Sequence, residues 1–282
     1  MNACTPRPAL LTALCAALLL SSCNHADRET PEPSVVEEQQ TAADGSYAQA
    51  AYDDALRLAG EAERSAQASA TAGPVTSSCA QLTLDRAAGI VTLDFGSAGC
   101  TGPDGRVRKG KITVTYQGGY LTPGSQTVLT FAGYSVDNNA VGGTVTLSGV
   151  SRNAAGKLQY TTTVAGGSLA LANGGGTLLA DLARTTEWTT GEGTGTAQDD
   201  VFAIVTAGTL TWRNGVAYAV TTPSPLLVQS ACLSQGIIYP ASGTLSLKAA
   251  AKPAFGLDYG SGTCDKTATL TVGPTSRVIT LP

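Results

Sequence analysis

The sequence predicts an all-β fold for residues 79–282, an antiparallel meander that forms either a sandwich or a curved, partly closed barrel. Apolar residues alternate with Thr in short runs such as Leu82–Leu84 and Ile112–Tyr116, a period typical of strands. Turn dipeptides such as Asn214-Gly215 separate these runs and favour tight hairpins. Because one face of each run is apolar and the other carries hydroxyl groups, we expect a half-buried antiparallel sheet.

Residues 1–22 have the order of a bacterial lipoprotein signal peptide. Arg7 precedes an apolar run, Ala9–Leu20, and Ser21-Ser22-Cys23 follows it. The run is too short for a permanent membrane helix, which needs roughly 20 residues. We therefore expect cleavage before Cys23, a diacylglycerol and a palmitate-type acyl chain on that residue, and attachment to a membrane through this lipid. Asn24 rather than Asp follows, which favours the outer membrane and leaves open whether the protein faces the periplasm or the cell surface.

Two segments connect this anchor to the β domain. Residues 23–46 are acidic and contain Pro31 and Pro33, so we expect a flexible tether. Residues 47–73 are rich in Ala and precede Pro74, which predicts a helix with Ser46 and Gln49 as its capping box. The apolar face of this helix is thin, so the sequence fits a spacer helix as well as a packed one.

The cysteine content predicts two disulfides. Of 7 Cys, two lie in the signal peptide and one is the lipid site, which leaves four in the mature domain: Cys79, Cys100, Cys232 and Cys264. An even number of Cys in an exported chain is typical of disulfides. The segment Leu93–Cys100 matches Leu257–Cys264, so each duplicated Cys is expected to pair with the Cys upstream of its own hairpin, giving Cys79–Cys100 and Cys232–Cys264.

A second, weaker repetition has two interpretations. Glycines that start similar strand segments recur 33, 33, 32 and 35 residues apart, at Gly110, Gly143, Gly176, Gly208 and Gly243. The spacing fits a repeated hairpin unit. It also fits chance recurrence in a chain rich in Gly and Thr.

The stretch Val91–Cys100, followed by Asp104-Gly-Arg and Arg108–Ile112, resembles a family of uncharacterised exported lipoproteins of the Bacteroidetes. The closing segment Leu257–Asp265 resembles the same family. The resemblance covers residue 79 to the end of the chain and implies a cell-envelope lipoprotein, without an activity to transfer.

The charge distribution and the histidine content narrow the function. Residues 1–78 have a net charge of −6 and residues 79–282 a net charge of +2, together the −4 of the whole chain, so neither part favours a nucleic-acid partner. Acid–base catalysis near neutral pH most often uses His, and the single His, His25, lies in the expected tether. We therefore expect a protein that is not an enzyme and that needs no metal or cofactor.

Several groups of residues are candidate sites. The basic cluster Arg106, Arg108, Lys109 and Lys111 fits either an anion-binding site or a solvated hairpin whose charges protect a strand edge. Asp94 and Asp258, with Asp104 and Asp265, could ligate calcium or cap the turns that follow them. Glu187 and Glu192 flank Trp188, an arrangement that suits glycoside hydrolysis or a solvated loop.

The sequence thus predicts a binding or structural module of the cell envelope whose ligand is an unidentified protein, glycan or lipid. One alternative is an open barrel that carries a lipid or another hydrophobe. The other is a carboxylate-dependent glycoside hydrolase, which would need two of the candidate carboxylates in one cleft.

Overall fold

The alternation of apolar and hydroxylic residues produces an antiparallel sheet of fourteen strands in the computed structural model, which describes residues 33–68 and 79–282. The strands are β1 (Gln81–Asp85), β2 (Ile90–Asp94), β3 (Cys100–Thr101), β4 (Val107–Gln117), β5 (Gln126–Val136), β6 (Asn139–Arg152), β7 (Leu158–Ala170), β8 (Thr177–Thr190), β9 (Val201–Thr211), β10 (Ala217–Gln229), β11 (Ser242–Ala249), β12 (Phe255–Ser261), β13 (Thr267–Val272) and β14 (Thr275–Thr280). Each strand pairs with the next along the chain, except that β2 pairs with β4 and the short β3 pairs beside it. The predicted all-β antiparallel meander is confirmed, as a single open sheet with β1 and β14 at its edges.

This sheet curves around one long helix, α1 (Pro33–Ala68). The helix contacts β2 and β13, near the two ends of the sheet, as well as β5 and β8 in its middle. At 1.5 Å per residue, its 36 residues extend about 54 Å. Two shorter helical segments, Ala172–Gly174 and α2 (Ser230–Leu233), interrupt the connections between strands. Within the described ranges, no helix is both long and apolar enough to cross a membrane.

The helix differs from the one predicted at residues 47–73 in where it begins and in its role. It begins at Pro33, so residues 33–46, expected to be tether, are helical. Proline is compatible with the first helical turn, where its missing N–H has no intrahelical partner, and it therefore marked the start of the helix instead of blocking it. The proposed capping box is also wrong, because Ser46 lies inside the helix, where its Oγ donates to the carbonyl oxygen of Ala42 at 2.9 Å.

The helix is packed against the sheet and does not act as an exposed spacer. Eight of its buried residues are alanines, on several sides of the helix: Ala42, Ala48, Ala50, Ala51, Ala55, Ala59, Ala62 and Ala66. Small side chains allow the sheet to approach closely, and larger residues of the sheet complete the core, among them Leu93, Leu129, Leu147 and Leu247. Polar helix residues are buried with them and find partners on the strands, as when Tyr52 Oη donates to the carbonyl oxygen of Gly142 at 3.0 Å.

The recurring glycines include positions where the sheet bends. Gly110 has a φ of +76°, and a Cβ there would lie 2.1 Å from the carbonyl oxygen of Gly133. The register between β4 and β5 shifts next to Gly110, and the register between β6 and β7 shifts next to Gly143, whose φ is +101°. Such bulges increase strand twist and curvature. The 33-residue spacing does not mark one uniform hairpin unit, because Gly110 and Gly143 lie within β4 and β6 whereas Gly176 precedes β8.

Candidate ligand-binding cavity

A cavity of about 450 Å³ lies between the second half of α1 and the inner face of the sheet. The helix residues that line it recur at the spacing of one helical face: Ala50, Asp53, Asp54, Leu56, Arg57, Glu61 and Arg64. Residues three or four positions apart lie on the same side of a helix, so the sequence places most of these charged groups on one wall. The volume is within the range of small-molecule sites, roughly 300–1,000 Å³.

The sheet provides a second wall whose composition changes along the strands. Alternate residues of a strand point to the same face, and the strand register aligns them into rows. Tyr160, Thr186 and Ile204 form one row on β7, β8 and β9. Trp188 and Phe202 are paired in the next row, closer to the strand ends, and Val228 of β10 continues that row. All of these residues line the cavity.

Arg184 on β8 joins the two walls. Both of its terminal nitrogens bind the carboxylate of Asp53 on α1, with Nη2 2.9 Å from Oδ2. Its side chain is 3% exposed, and the buried Nε has no hydrogen-bond partner among the described residues. A buried guanidinium donor without an acceptor is costly, so a ligand oxygen that reached this N–H would satisfy it.

An aromatic pair with a hydrogen-bonded carboxylate occupies another side. Trp188 Nε1 donates to Asp200 Oδ1 at 3.1 Å, and the ring of Phe202 packs against the indole with its centroid 5.4 Å away. Burial raises the pKa of Asp200, and the hydrogen bond from Trp188 opposes that shift. The indole N–H is thereby occupied, and Trp188 offers the cavity its ring.

The segment after β10 forms a further side of the cavity. Ser230, Leu233 and Ser234, in and beside α2, line the cavity. The disulfide Cys232–Cys264 attaches this segment to the chain after β12. The second predicted pair, Cys79–Cys100, is also formed, so both predicted disulfides are confirmed. Loops of 21 and 32 residues correspond to roughly 3 to 4 kcal/mol each in the chain-entropy model.

The predicted basic cluster does not form one exposed anion site. Arg108 is fully buried and binds Asp54 at 2.8 Å and Asp104 at 2.6 Å. Arg106 is also buried and binds Asp137 at 3.0 Å. Asp54 and Asp137 lie far from these arginines in the sequence, and Asp104 binds Arg108 only in the folded chain. The sequence pattern therefore suggested exposed arginines, whereas both are buried. Arg106 nevertheless lines the cavity.

The two lysines of that cluster are separate from the arginines. Lys111 is exposed and forms an ion pair with Asp94 at 2.8 Å. Lys109 is half-buried, with its Cγ 2.5 Å from the position that a Cβ on Gly99 would take. A surface ion pair such as Lys111 with Asp94 contributes little to stability. The two lysines fit the alternative prediction of a solvated hairpin whose charges protect a strand edge.

The candidate carboxylates outside the helix have local roles. Asp94 and Asp258 each accept the N–H of the Gly two residues later, at 2.9 and 2.8 Å, as turn caps do. Glu187 accepts from Asn153 at 2.7 Å, and Glu192 binds Arg152 at 2.6 Å. None of these four carboxylates is among the residues that line the cavity.

The remaining acidic candidates do not form a metal site either. Asp265 caps a turn by accepting the N–H of Thr267 at 2.7 Å, and Asp104 binds Arg108. In residues 33–68 and 79–282, no group of three or more His, Cys, Asp or Glu side chains is placed to hold a metal ion. The lipid site Cys23 and the signal peptide lie outside the described residues.

Comparison with known proteins found no matching family model, no matching curated protein and no matching solved structure.

Proposed function

We propose that the protein is a cell-envelope lipoprotein whose β domain binds a small ligand in the cavity between α1 and strands β7–β10. The observation that carries the proposal is the cavity itself, about 450 Å³ in volume and lined by aromatic, aliphatic and charged side chains together. A mainly apolar pocket with a few convergent polar groups is the usual form of a ligand site.

The site is held in place from three directions. The ion pair between Arg184 and Asp53 connects sheet and helix, the disulfide Cys232–Cys264 restrains α2, and the hydrogen bond from Trp188 to Asp200 orients the indole. Side chains that are fixed before binding lose less conformational entropy when a ligand arrives. The arrangement therefore favours a preformed binding site.

A lipid on Cys23 would keep this site near a membrane surface. Ten positions separate Cys23 from Pro33, where α1 begins, and a chain of that length spans at most about 35 Å. The helix residues that line the cavity, 50–64, lie in the C-terminal half of α1.

The two alternative functions receive less support. A carrier of an acyl lipid would bring a long apolar chain against several guanidinium and carboxylate groups that line this cavity, and desolvation of those groups without new hydrogen bonds would be costly. A glycoside hydrolase of the kind predicted from the sequence would require two of its four candidate carboxylates in one cleft, and none of the four lines the cavity. The carboxylates that do line it are each bound by an arginine or by Trp188.

Native mass spectrometry of the full-length chain, purified from its own envelope, tests the proposal. Ala197 is exposed and lines the cavity, so Ala197→Trp should obstruct it at little cost in stability. Ala155 is exposed in a hairpin turn and does not line the cavity, and Ala155→Trp is the matched control. We expect a bound small molecule with the wild type and with Ala155→Trp that is lost with Ala197→Trp. Equal occupancy in both variants would contradict the proposal.

A further inference from the structure

We infer that the ligand is a short, uncharged saccharide of about two rings, an assignment that rests on the proposed function of the cavity. Four properties of the described side chains support it: the distribution of polarity between the two walls, the balance of charge, the unpartnered buried atoms and the concentration of aromatic rings.

The helix wall of the cavity is largely charged, and one row of the sheet wall is apolar. The charged residues of the helix wall extend from Asp53 to Arg64, about 16 Å along the helix axis. The facing row of the sheet carries Trp188, Phe202 and Val228. A suitable ligand has a polar and an apolar face along the same length. A sugar ring has this property, with hydroxyl groups at its edge and C–H groups on its face, whereas an acyl lipid is polar at one end only.

The charges of the cavity are nearly balanced. Five carboxylates and four guanidinium groups line it: Asp53, Asp54, Glu61, Asp104 and Asp200, with Arg57, Arg64, Arg106 and Arg184. Several are already paired, as Arg57 is with Asp54 at 2.7 Å and with Glu61 at 2.8 Å. An anionic ligand would approach the carboxylates and a cationic one the guanidinium groups. A hydroxyl group both donates and accepts and is compatible with this mixture.

Three buried atoms at the cavity have unused hydrogen-bonding capacity. Arg184 Nε and Arg106 Nη1 are donors without a hydrogen bond, the latter 3.5 Å from Asp54 Oδ2, and Glu61 Oε2 is an acceptor without one. Arg184 and Arg106 are 3% and 9% exposed in their side chains. Buried polar groups are nearly always satisfied. Neighbouring ligand hydroxyls would satisfy the donors and the acceptor with one type of group.

Aromatic residues are scarce in the chain and concentrated at this site. They make up 5% of the sequence, yet four line the cavity: Tyr120, Tyr160, Trp188 and Phe202. Aromatic rings provide large rigid apolar contact areas. The indole of Trp188, held by Asp200, is the ring best placed to cover the C–H face of a sugar.

Titration of the full-length chain with defined probes tests this assignment, using tryptophan fluorescence and calorimetry. The probes are cellobiose, maltose and N,N′-diacetylchitobiose, with deoxycholate and palmitate as the competing classes. We expect at least one disaccharide to bind, Ala197→Trp to abolish binding, and Ala155→Trp to leave it unchanged. Arg184→Lys, which keeps the positive charge but removes the Nε donor, should weaken binding about tenfold.

The other outcomes distinguish failure of the saccharide assignment from failure of the proposed binding cavity. If deoxycholate or palmitate binds in a manner sensitive to Ala197→Trp and no disaccharide does, the saccharide assignment is wrong and the binding cavity remains. If no disaccharide binds and Ala197→Trp also leaves the co-purified material unchanged, both the saccharide assignment and the proposed function fail. Trp188→Phe separates the fluorescence signal from binding itself. This variant should lose the ligand-induced fluorescence change of the indole, while calorimetry should still detect binding, although weakened.

Discussion

Arg108 on β4 and Asp54 on α1 form a buried ion pair, with Nη2 2.8 Å from Oδ2, that joins the helix to the surrounding sheet. Arg108 is completely buried and the side chain of Asp54 is 5% exposed. Asp54 also binds Arg57 at 2.7 Å and lies 3.5 Å from Arg106. One carboxylate is therefore shared by three guanidinium groups at the junction between helix and sheet, each of which also has a second acidic partner.

Removing that carboxylate should strongly destabilise the fold. Asp54→Ala leaves buried guanidinium groups under-compensated, and loss of one partner of a buried ion pair costs about 3–5 kcal/mol. Glu61→Ala is the matched control on the same helix, because it removes a partly exposed pair with Arg57, whose side chain is 25% exposed, and such pairs contribute about 1 kcal/mol or less. Urea unfolding of the full-length chain measures both. Similar free energies of unfolding for the two variants would show that the Asp54 network does not stabilise the helix in the sheet.

The same network predicts a decline in stability at acidic pH. Burial alone would raise the pKa values of Asp54 and Asp104, but the neighbouring arginines hold both below the usual Asp value. A carboxylate whose pKa is lower when folded stabilises the fold above its unfolded pKa, about 4, and loses this contribution as the pH falls through the folded pKa. The free energy of unfolding should therefore fall below about pH 4. A variant with Asp54→Leu and Arg108→Leu should show a shallower decline, and an identical pH profile would contradict this assignment.

Gly60 allows the helix to pass Tyr120. A Cβ at residue 60 would lie 2.6 Å from the Tyr120 ring, so Gly60→Ala requires displacement of that ring. We expect a net destabilisation of about 1–3 kcal/mol from overpacking, despite the helix preference for Ala of about 1 kcal/mol. Tyr120→Leu in the same chain should recover part of the loss. If Gly60→Ala alone raises the unfolding midpoint, the close approach of helix and ring is not present.

The lipid anchor is tested through Cys23. Cys23→Ala removes the thiol that would carry the diacylglycerol, and the chain should move from the membrane fraction to the soluble fraction. Labelling with radioactive palmitate should be lost in parallel. Cys4→Ala, which alters the expected signal peptide outside the lipid site, is the control and should retain the label. A Cys23→Ala protein that keeps both its label and its membrane association would contradict the lipoprotein assignment.

Local signals allowed the strands and the disulfides to be predicted from the sequence. Alternation identifies each strand independently of the others, and the duplicated Leu-Asp-aromatic-Gly segments indicated which cysteines pair. The helix was misjudged for the opposite reason. Its burial depends on partners far along the chain, as between Asp54 and Arg108 or Asp53 and Arg184, and a polar, Ala-rich helix resembles an exposed one until those partners are known.

The cavity could be anticipated only in part. Trp188 was singled out, but with Glu187 and Glu192, which are bound to Asn153 and Arg152 on the neighbouring hairpin. The carboxylate that holds its indole is Asp200, twelve residues later. Arg184 lies among threonines on β8 and has no distinguishing local pattern. Strand register and the curvature of the sheet bring these residues to α1, and neither was fixed by the sequence pattern.

A crystal structure of the full-length chain purified from its own envelope, solved with whatever small molecule it retains, is the most direct test of the proposed ligand site. We predict ligand density between α1 and β8, with an oxygen atom within hydrogen-bonding distance of Arg184 Nε and a ring or apolar face against Trp188. A cavity filled only by water, with the retained molecule bound on the outer face of the sheet, would show that the cavity is not the ligand site.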